Sequence, residues 1–185
     1  MDLILLQPGD QSIFGGSDST LLDNSRWDAG AGPTGFCIEL VSMHQGMKQQ
    51  VTTDVSNQAR TSGRPVITEF TMTKYVDQTS VKLYDRCLRA ALLNTAAGPS
   101  SFIYIARNSG DKTANIITIE LKHALISEIQ LQTHPNDMPT EQFKLNFTEI
   151  VWTFTTQKND LTQPGSVIAG WNLARNMPIA AISYP

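Results

Sequence analysis

The stretch EQFKLNFTEIVWTFTT, residues 141–156, decides the fold. Its apolar residues alternate with polar ones, the period-2 pattern of a half-buried strand. The phase changes partway: Phe143, Leu145 and Phe147 share one parity, whereas Ile150, Trp152 and Phe154 share the other. A one-residue slip exchanges the two faces of a strand, so both sets stay inward only if the chain bends or bulges near Thr148 and Glu149. Barrels turn corners in this way.

The same alternation extends outward from that stretch. Phe36, Ile38 and Leu40 oppose Cys37, Glu39, Val41 and Met43, and Val66, Phe70 and Met72 oppose Glu69, Thr71 and Thr73. Residues 101–107 and 115–122 flank Asn108-Ser109-Gly110-Asp111, a link suited to closing a hairpin. Leu125, Ser127, Ile129 and Leu131 continue as one strand face until Pro135-Asn136-Asp137 supplies turn chemistry. One segment has a different period. Over residues 79–93, Val81, Tyr84, Leu88, Ala91 and Leu92 recur at helical spacing and predict an apolar helix face. Asp77, Thr79 and Ser80 offer capping oxygens, and Gly98-Pro99 blocks continuation. Residues 9–35 and 44–65 read as long irregular loops, the second interrupted only by Met47, Val51, Val55 and Ala59.

Length and composition bound the function. A chain of 185 residues, 41% hydrophobic and 17% charged, suits one globular domain. Fourteen Lys and Arg against 17 Asp and Glu give a net charge of −3, with no basic excess for phosphates or anionic lipid, so no nucleic-acid partner is expected. No apolar run approaches the roughly 20 residues needed to span a bilayer, so no membrane insertion is expected. Asp2 stands where a signal peptide would carry Lys or Arg, and folding in the cytoplasm is expected. Cys37 and Cys87 lie far apart, and two thiols are too few for a disulfide framework or a four-cysteine metal site, so both are expected as free core thiols.

Motifs that would carry chemistry are weak. Gly30-Ala31-Gly32-Pro33-Thr34-Gly35 satisfies GxGxxG, but a strand follows it instead of a helix and Pro33 removes an amide donor, so no nucleotide cofactor is expected. His44, His123 and His134 form no HxH or HExxH pair and are expected at strand ends or turns, not as metal ligands. No serine stands in GxSxG. Asp77, Asp85, Glu120, Glu128 and Glu149 read as solvated faces, and the Asn146-Phe147-Thr148 sequon falls inside a strand. Lys82, Arg86 and Arg89 recur at helical spacing as a solvated face or an intersubunit ion-pair surface. No catalytic, cofactor-binding or metal residues are expected, and the chain is not expected to be an enzyme.

The segment GRPVITEFTMTKYVDQTSVKL, residues 63–83, resembles the Hcp family, the haemolysin-coregulated tube proteins of type VI secretion systems. There a strand ending in phenylalanine and a TKxxDxxSxxL sequence enters the family's helix. Ile38-Glu39-Leu40-Val41-Ser42, residues 124–129 and residues 141–152 are similar in order to further strands of the family. The resemblance implies a mainly β fold, a closed β-barrel of two packed antiparallel sheets with one flanking α-helix, as a single domain over 1–185. Its family-motif residues here are Phe70, Thr73, Lys74, Asp77, Ser80, Leu145, Phe147 and Trp152.

It further implies homo-hexameric rings that stack into a tube inside a contractile sheath, with a spike protein at the tip and secreted effector proteins in the lumen. The subunit would assemble in the bacterial cytoplasm and then be secreted without a cleaved signal peptide. The loop 44–65 lies where the family carries a loop reaching the next ring, which makes Met47, Val51 and Val55 candidate apolar anchors. The segment 9–35 and the tail 161–185, with Trp171, Ile179, Ile182 and Tyr184, depart from the family pattern. A small-ligand-binding β-barrel without a secretion role is the alternative, and an enzyme using His123 or His134 is a third reading.

Overall fold

The computed structural model describes residues 2–15, 32–54, 59–94, 100–109, 112–156 and 165–179, and Val55, Ile182 and Tyr184 lie outside them. The amino-terminal half holds β1 (Asp2–Gln7), a 3-10 turn (Gln11–Phe14), β2 (Ile38–Leu40), β3 (Ser42–His44), β4 (Met47–Lys48) and β5 (Val51–Asp54). β6 (Ala59–Ser62), β7 (Val66–Ile67), β8 (Phe70–Tyr75) and the helix α1 (Ser80–Leu88) follow. The remainder is β9 (Ser101–Ser109), β10 (Lys112–Lys122), β11 (Leu125–Gln132), β12 (Thr140–Asn146), β13 (Glu149–Thr156), β14 (Gly165–Asn172) and β15 (Met177–Pro178).

The strands form a seven-stranded sheet, ordered β15-β14-β13-β10-β9-β1-β2, and a four-stranded sheet, ordered β11-β12-β8-β3, all of whose pairs are antiparallel. The phase change in residues 141–156 is the joint between them. β12 pairs with β8 in the small sheet, the chain bends at Phe147 and Thr148, and β13 pairs with β10 in the large one. The neighbouring strand bends at the same place, because β10 passes into β11 through His123, which adopts a positive φ of 52°. The Thr148 amide donates to the Lys122 carbonyl at 3.0 Å, so both strands turn the corner as a pair. A second corner lies at Val41, between β2 and β3, where its amide reaches the Thr73 carbonyl at 2.8 Å.

Among the described residues no ladder closes on itself: β15 and β2 end one, β11 and β3 the other. Continuity between the sheets is carried instead by strands that belong to both. Phe70, Met72, Phe143, Leu145, Ile150, Ile38 and Leu6 meet between the sheets as the core. Phe70 and Phe147 pack at 5.5 Å between ring centroids, at the corner.

Bends and bulges also explain where alternation misassigns faces. Met43 packs against the core with Ile38 and Leu40, because the bend at Val41 resets the parity. β11 carries a bulge between Ile126 and Glu128, so Ile126 and Ile129, of opposite parity, both face the core; Leu131, near the end of the strand, is exposed. The predicted helix stops at Leu88 and not at residue 93, and its orientation differs from expectation. Leu83 and Ser80 are buried, whereas Val81 is exposed and Leu88 is 88% exposed. The loop 44–65 is not irregular throughout, since β4 pairs with β7 and β5 with β6. The tail contributes β14, which pairs with β13 along its full length.

Candidate assembly surfaces

Two elements pack against the sheets. At the β11 edge stands α1, and beside β13 and β14 stands the base of the 44–65 segment. They are built from opposite chemistry.

The helix side rests on a buried charge network. Along β8 the inward parity runs Phe70, Met72, Lys74, and along the paired β12 it runs Leu145, Phe143, Glu141. Lys74 and Glu141 therefore meet inside, both side chains fully buried, at 2.9 Å. A buried ion pair tolerates its desolvation only if the remaining lone pairs and protons are satisfied. Here they are. Lys74 Nζ also donates to Ser80 Oγ (3.1 Å) and the Tyr75 carbonyl (2.9 Å), and lies 3.1 Å from Asp77 Oδ1. Glu141 Oε1 accepts from Ser80 Oγ at 2.9 Å, and Oε2 accepts from Tyr84 OH at 2.7 Å.

Asp77 organises the turn into the helix. Its Oδ1 accepts from the Thr79 amide (2.7 Å) and hydroxyl (2.5 Å), and its own amide donates to Ser80 Oγ at 3.0 Å. Burial alone would raise the Asp77 pKa, but the Thr79 hydrogen bonds and the Lys74 ammonium outweigh it and hold the carboxyl below its usual range. Burial and the Glu141 carboxylate push Tyr84 up to about 12, which keeps it a donor. On the helix's other flank Arg86 binds Asp10 and donates to the Leu92 carbonyl at 3.0 Å, tying α1 to the segment after β1. Thus Arg86 is internal to the fold, Arg89 pairs with Asp85 on the surface, and Lys82 is exposed.

The loop side is apolar and open. Met47, Ile67 and Pro65 from the loop base face Trp152 of β13 and Trp171 of β14 across a cavity of about 400 Å³, which Lys48 and Gln49 also line. Arg64 fastens the loop to the tail by donating to the Leu173 carbonyl at 2.5 Å. Met47 is 60% exposed and Val51 57% exposed, on β4 and β5 respectively.

Residues 37–154 match the family model described as "Type VI secretion system effector, Hcp". The chain belongs to the Hcp family. No curated protein sequence matches it. Solved structures agree on the fold. A "type six secretion system protein" superposes with a TM-score of 0.72 at 19% identity, covering 97% of this chain and all of that one. Hcp1 from Salmonella typhimurium superposes at 0.65 with 15% identity, covering 96% and 99% of the two chains. A type VI secretion system effector from Yersinia pestis does so at 0.62 with 14% identity, covering 91% and 98%.

Within this Hcp chain the motif residues fall at four places. Lys74, Asp77 and Ser80 converge on one network, and Thr73 accepts the Val41 amide at the second corner. Phe70, Leu145 and Phe147 are buried at the first corner, whereas Trp152 lies apart from them, at the cavity. Alternation and helical spacing give Glu141 no role, put Tyr84 on the apolar helix face and leave Trp171 in the tail. The signal for Glu141 was present: Lys74 and Glu141 each occupy a core parity, and an inward charge on one strand calls for its opposite on a neighbour. The histidines serve no common site. His44 and His134 are at a strand end and in a turn, and His123 Nδ1 meets Thr148 Oγ1 at 2.7 Å. Cys37 is buried, and its thiol is pushed up to about 12 by that burial; Cys87 is half-buried, and both are free.

Proposed function

We propose that the chain is a structural tube subunit of a bacterial type VI secretion system, acting through interfaces and not through bond chemistry. The observation that carries this reading is the family match over residues 37–154, the stretch that contains the joint between the sheets, the Lys74–Glu141 network and the extended loop. The two sheets, bridged by bent strands and flanked by α1 and the loop base, act as one barrel wall. Six such walls form a ring, rings stack into the expelled inner tube within a contractile sheath, and a spike protein sits at the tip. Secreted effector proteins ride in the lumen. Assembly takes place in the bacterial cytoplasm, and the subunit leaves without a cleaved signal peptide.

The loop is the stacking element. Exposed Met47, on the β4–β7 pair, and Val51, on the β5–β6 pair, supply the apolar contact that a protein interface requires at its centre. Val55 belongs to the same segment and is assigned the same role. Native mass spectrometry over a concentration series tests the ring: a six-subunit species is expected, and a strict monomer at every concentration, absent also from the supernatant of a secreting culture, would sink the reading. A monomer carrying a co-purified small molecule would favour the ligand-binding barrel instead. Met47→Ala with Val51→Ala is expected to shorten stacks while single rings persist under electron microscopy.

A further inference from the structure

The four-stranded sheet has two unlike ends. At one, β3 and β8 run into the extended loop, and the cavity floored by Trp152 and Trp171 opens there. Lys48 lines it, Arg64 reaches the Leu173 carbonyl beside it, and Arg175 lies in the turn that follows Leu173. None of these three cations has a carboxylate partner among the described residues. On a chain of net charge −3, Lys48 thus stands at an aromatic hollow without a carboxylate, with Arg64 in the adjoining loop and Arg175 in the turn after Leu173.

The opposite end is formed by the turn between β11 and β12. Register places Thr140 beside Tyr75 there, against Leu145 beside Phe70 at the loop end. Met138 at this turn is 62% exposed. The neighbouring Asp137 carboxylate accepts from the Met138 amide at 2.8 Å and forms no ion pair among the described residues. One end thus offers a cationic aromatic socket and the other an anionic, thioether-tipped projection.

We propose that these ends bind each other between copies of the chain: the Asp137–Met138 turn of one copy seats in the Trp152–Trp171 cavity of the next. Met138 fills the hollow, where an unbranched thioether adapts to its shape and meets indole edges favourably. Asp137 faces Lys48 and Arg64, which gives the contact its direction. Because the two surfaces differ, each copy keeps one of each free after pairing, so the contact propagates as a stack. The inference rests on the tube reading and supplies the receptor that the loop base would present to the adjacent ring.

The test uses the full chain, with stack length followed by analytical ultracentrifugation and negative-stain microscopy. Lys48→Glu and Asp137→Lys, both on exposed residues, should each weaken ring-to-ring association by about tenfold or more through like-charge contact. The double variant should return to within about threefold of the parent, as coupled sites do. Met138→Ala should weaken stacking and remove the change in tryptophan emission that accompanies it. Charge variants that stack as the parent does, or a double variant no better than the worse single one, would overturn this contact while leaving the tube reading intact. A parent chain that never forms rings or stacks would overturn both.

Discussion

The helix corner and the loop base each pack against a sheet, yet one is saturated and the other is not. At the helix corner Lys74, Glu141, Ser80 and Tyr84 satisfy one another within a buried space. At the loop base two indoles, a methionine and Lys48 line an open cavity, and Lys48 forms no ion pair among the described residues. The first arrangement consumes its interactions in folding. The second keeps them available, which is what separates a structural joint from a receiving surface.

The sharpest way to break this contrast is Lys74→Met, which leaves the Glu141 carboxylate buried with no cation. It should cost about 3–5 kcal/mol in urea unfolding, since stranding one member of a buried pair is far worse than never having the pair. A cost below about 1 kcal/mol would show that water reaches Glu141. Trp171→Ala at the loop base should cost less, about 1–2 kcal/mol, because the side chain is only half-buried. Its effect on association should exceed its effect on stability; the reverse ranking would make the cavity an ordinary part of the core.

Acid should separate the regions further. Asp77 and Asp10, both on the helix side, are held below the usual carboxylate range. For Asp10, burial raises the pKa, but the Ser12 hydroxyl and amide and the Arg86 guanidinium outweigh it. A carboxyl with a lowered folded pKa contributes stability above its unfolded value, near 4, and loses that contribution as pH falls through the folded value. The parent should therefore lose stability more steeply than Asp77→Asn below about pH 4, read from urea midpoints across pH; parallel curves would refute the assignment. Arg89→Ala, which removes only the exposed pair with Asp85, should leave the midpoint unchanged within error.

How much of this was legible in the sequence follows from which physical signals are local. The corner at Phe147 and Thr148 was readable because a phase slip is written in consecutive residues. The equivalent slip at Val41 was masked, since Val41 and Met43 are both apolar and so complete an apparent alternation. Helix orientation failed for a related reason. Val81 and Leu88 made a convincing stripe, but the face that docks is set by Ser80 and Tyr84 reaching Glu141, some sixty residues away. Trp171 could not be placed at all without the pairing of β14 with β13 across residues 149–172.

The pairing of β1 carries a consequence for the order of events at the ribosome. Leu6 lies against Ile103, and until residues 101–107 exist the DLILLQ strand has only three residues of β2 beside it. A two-stranded ribbon of that size is marginal in water. At about 5–20 residues per second, the apolar strand β1 waits roughly 5–20 s for its long partner. Over that interval each nascent chain shows an apolar edge to its neighbours on the same message, so its greatest exposure to misassembly comes before it is finished.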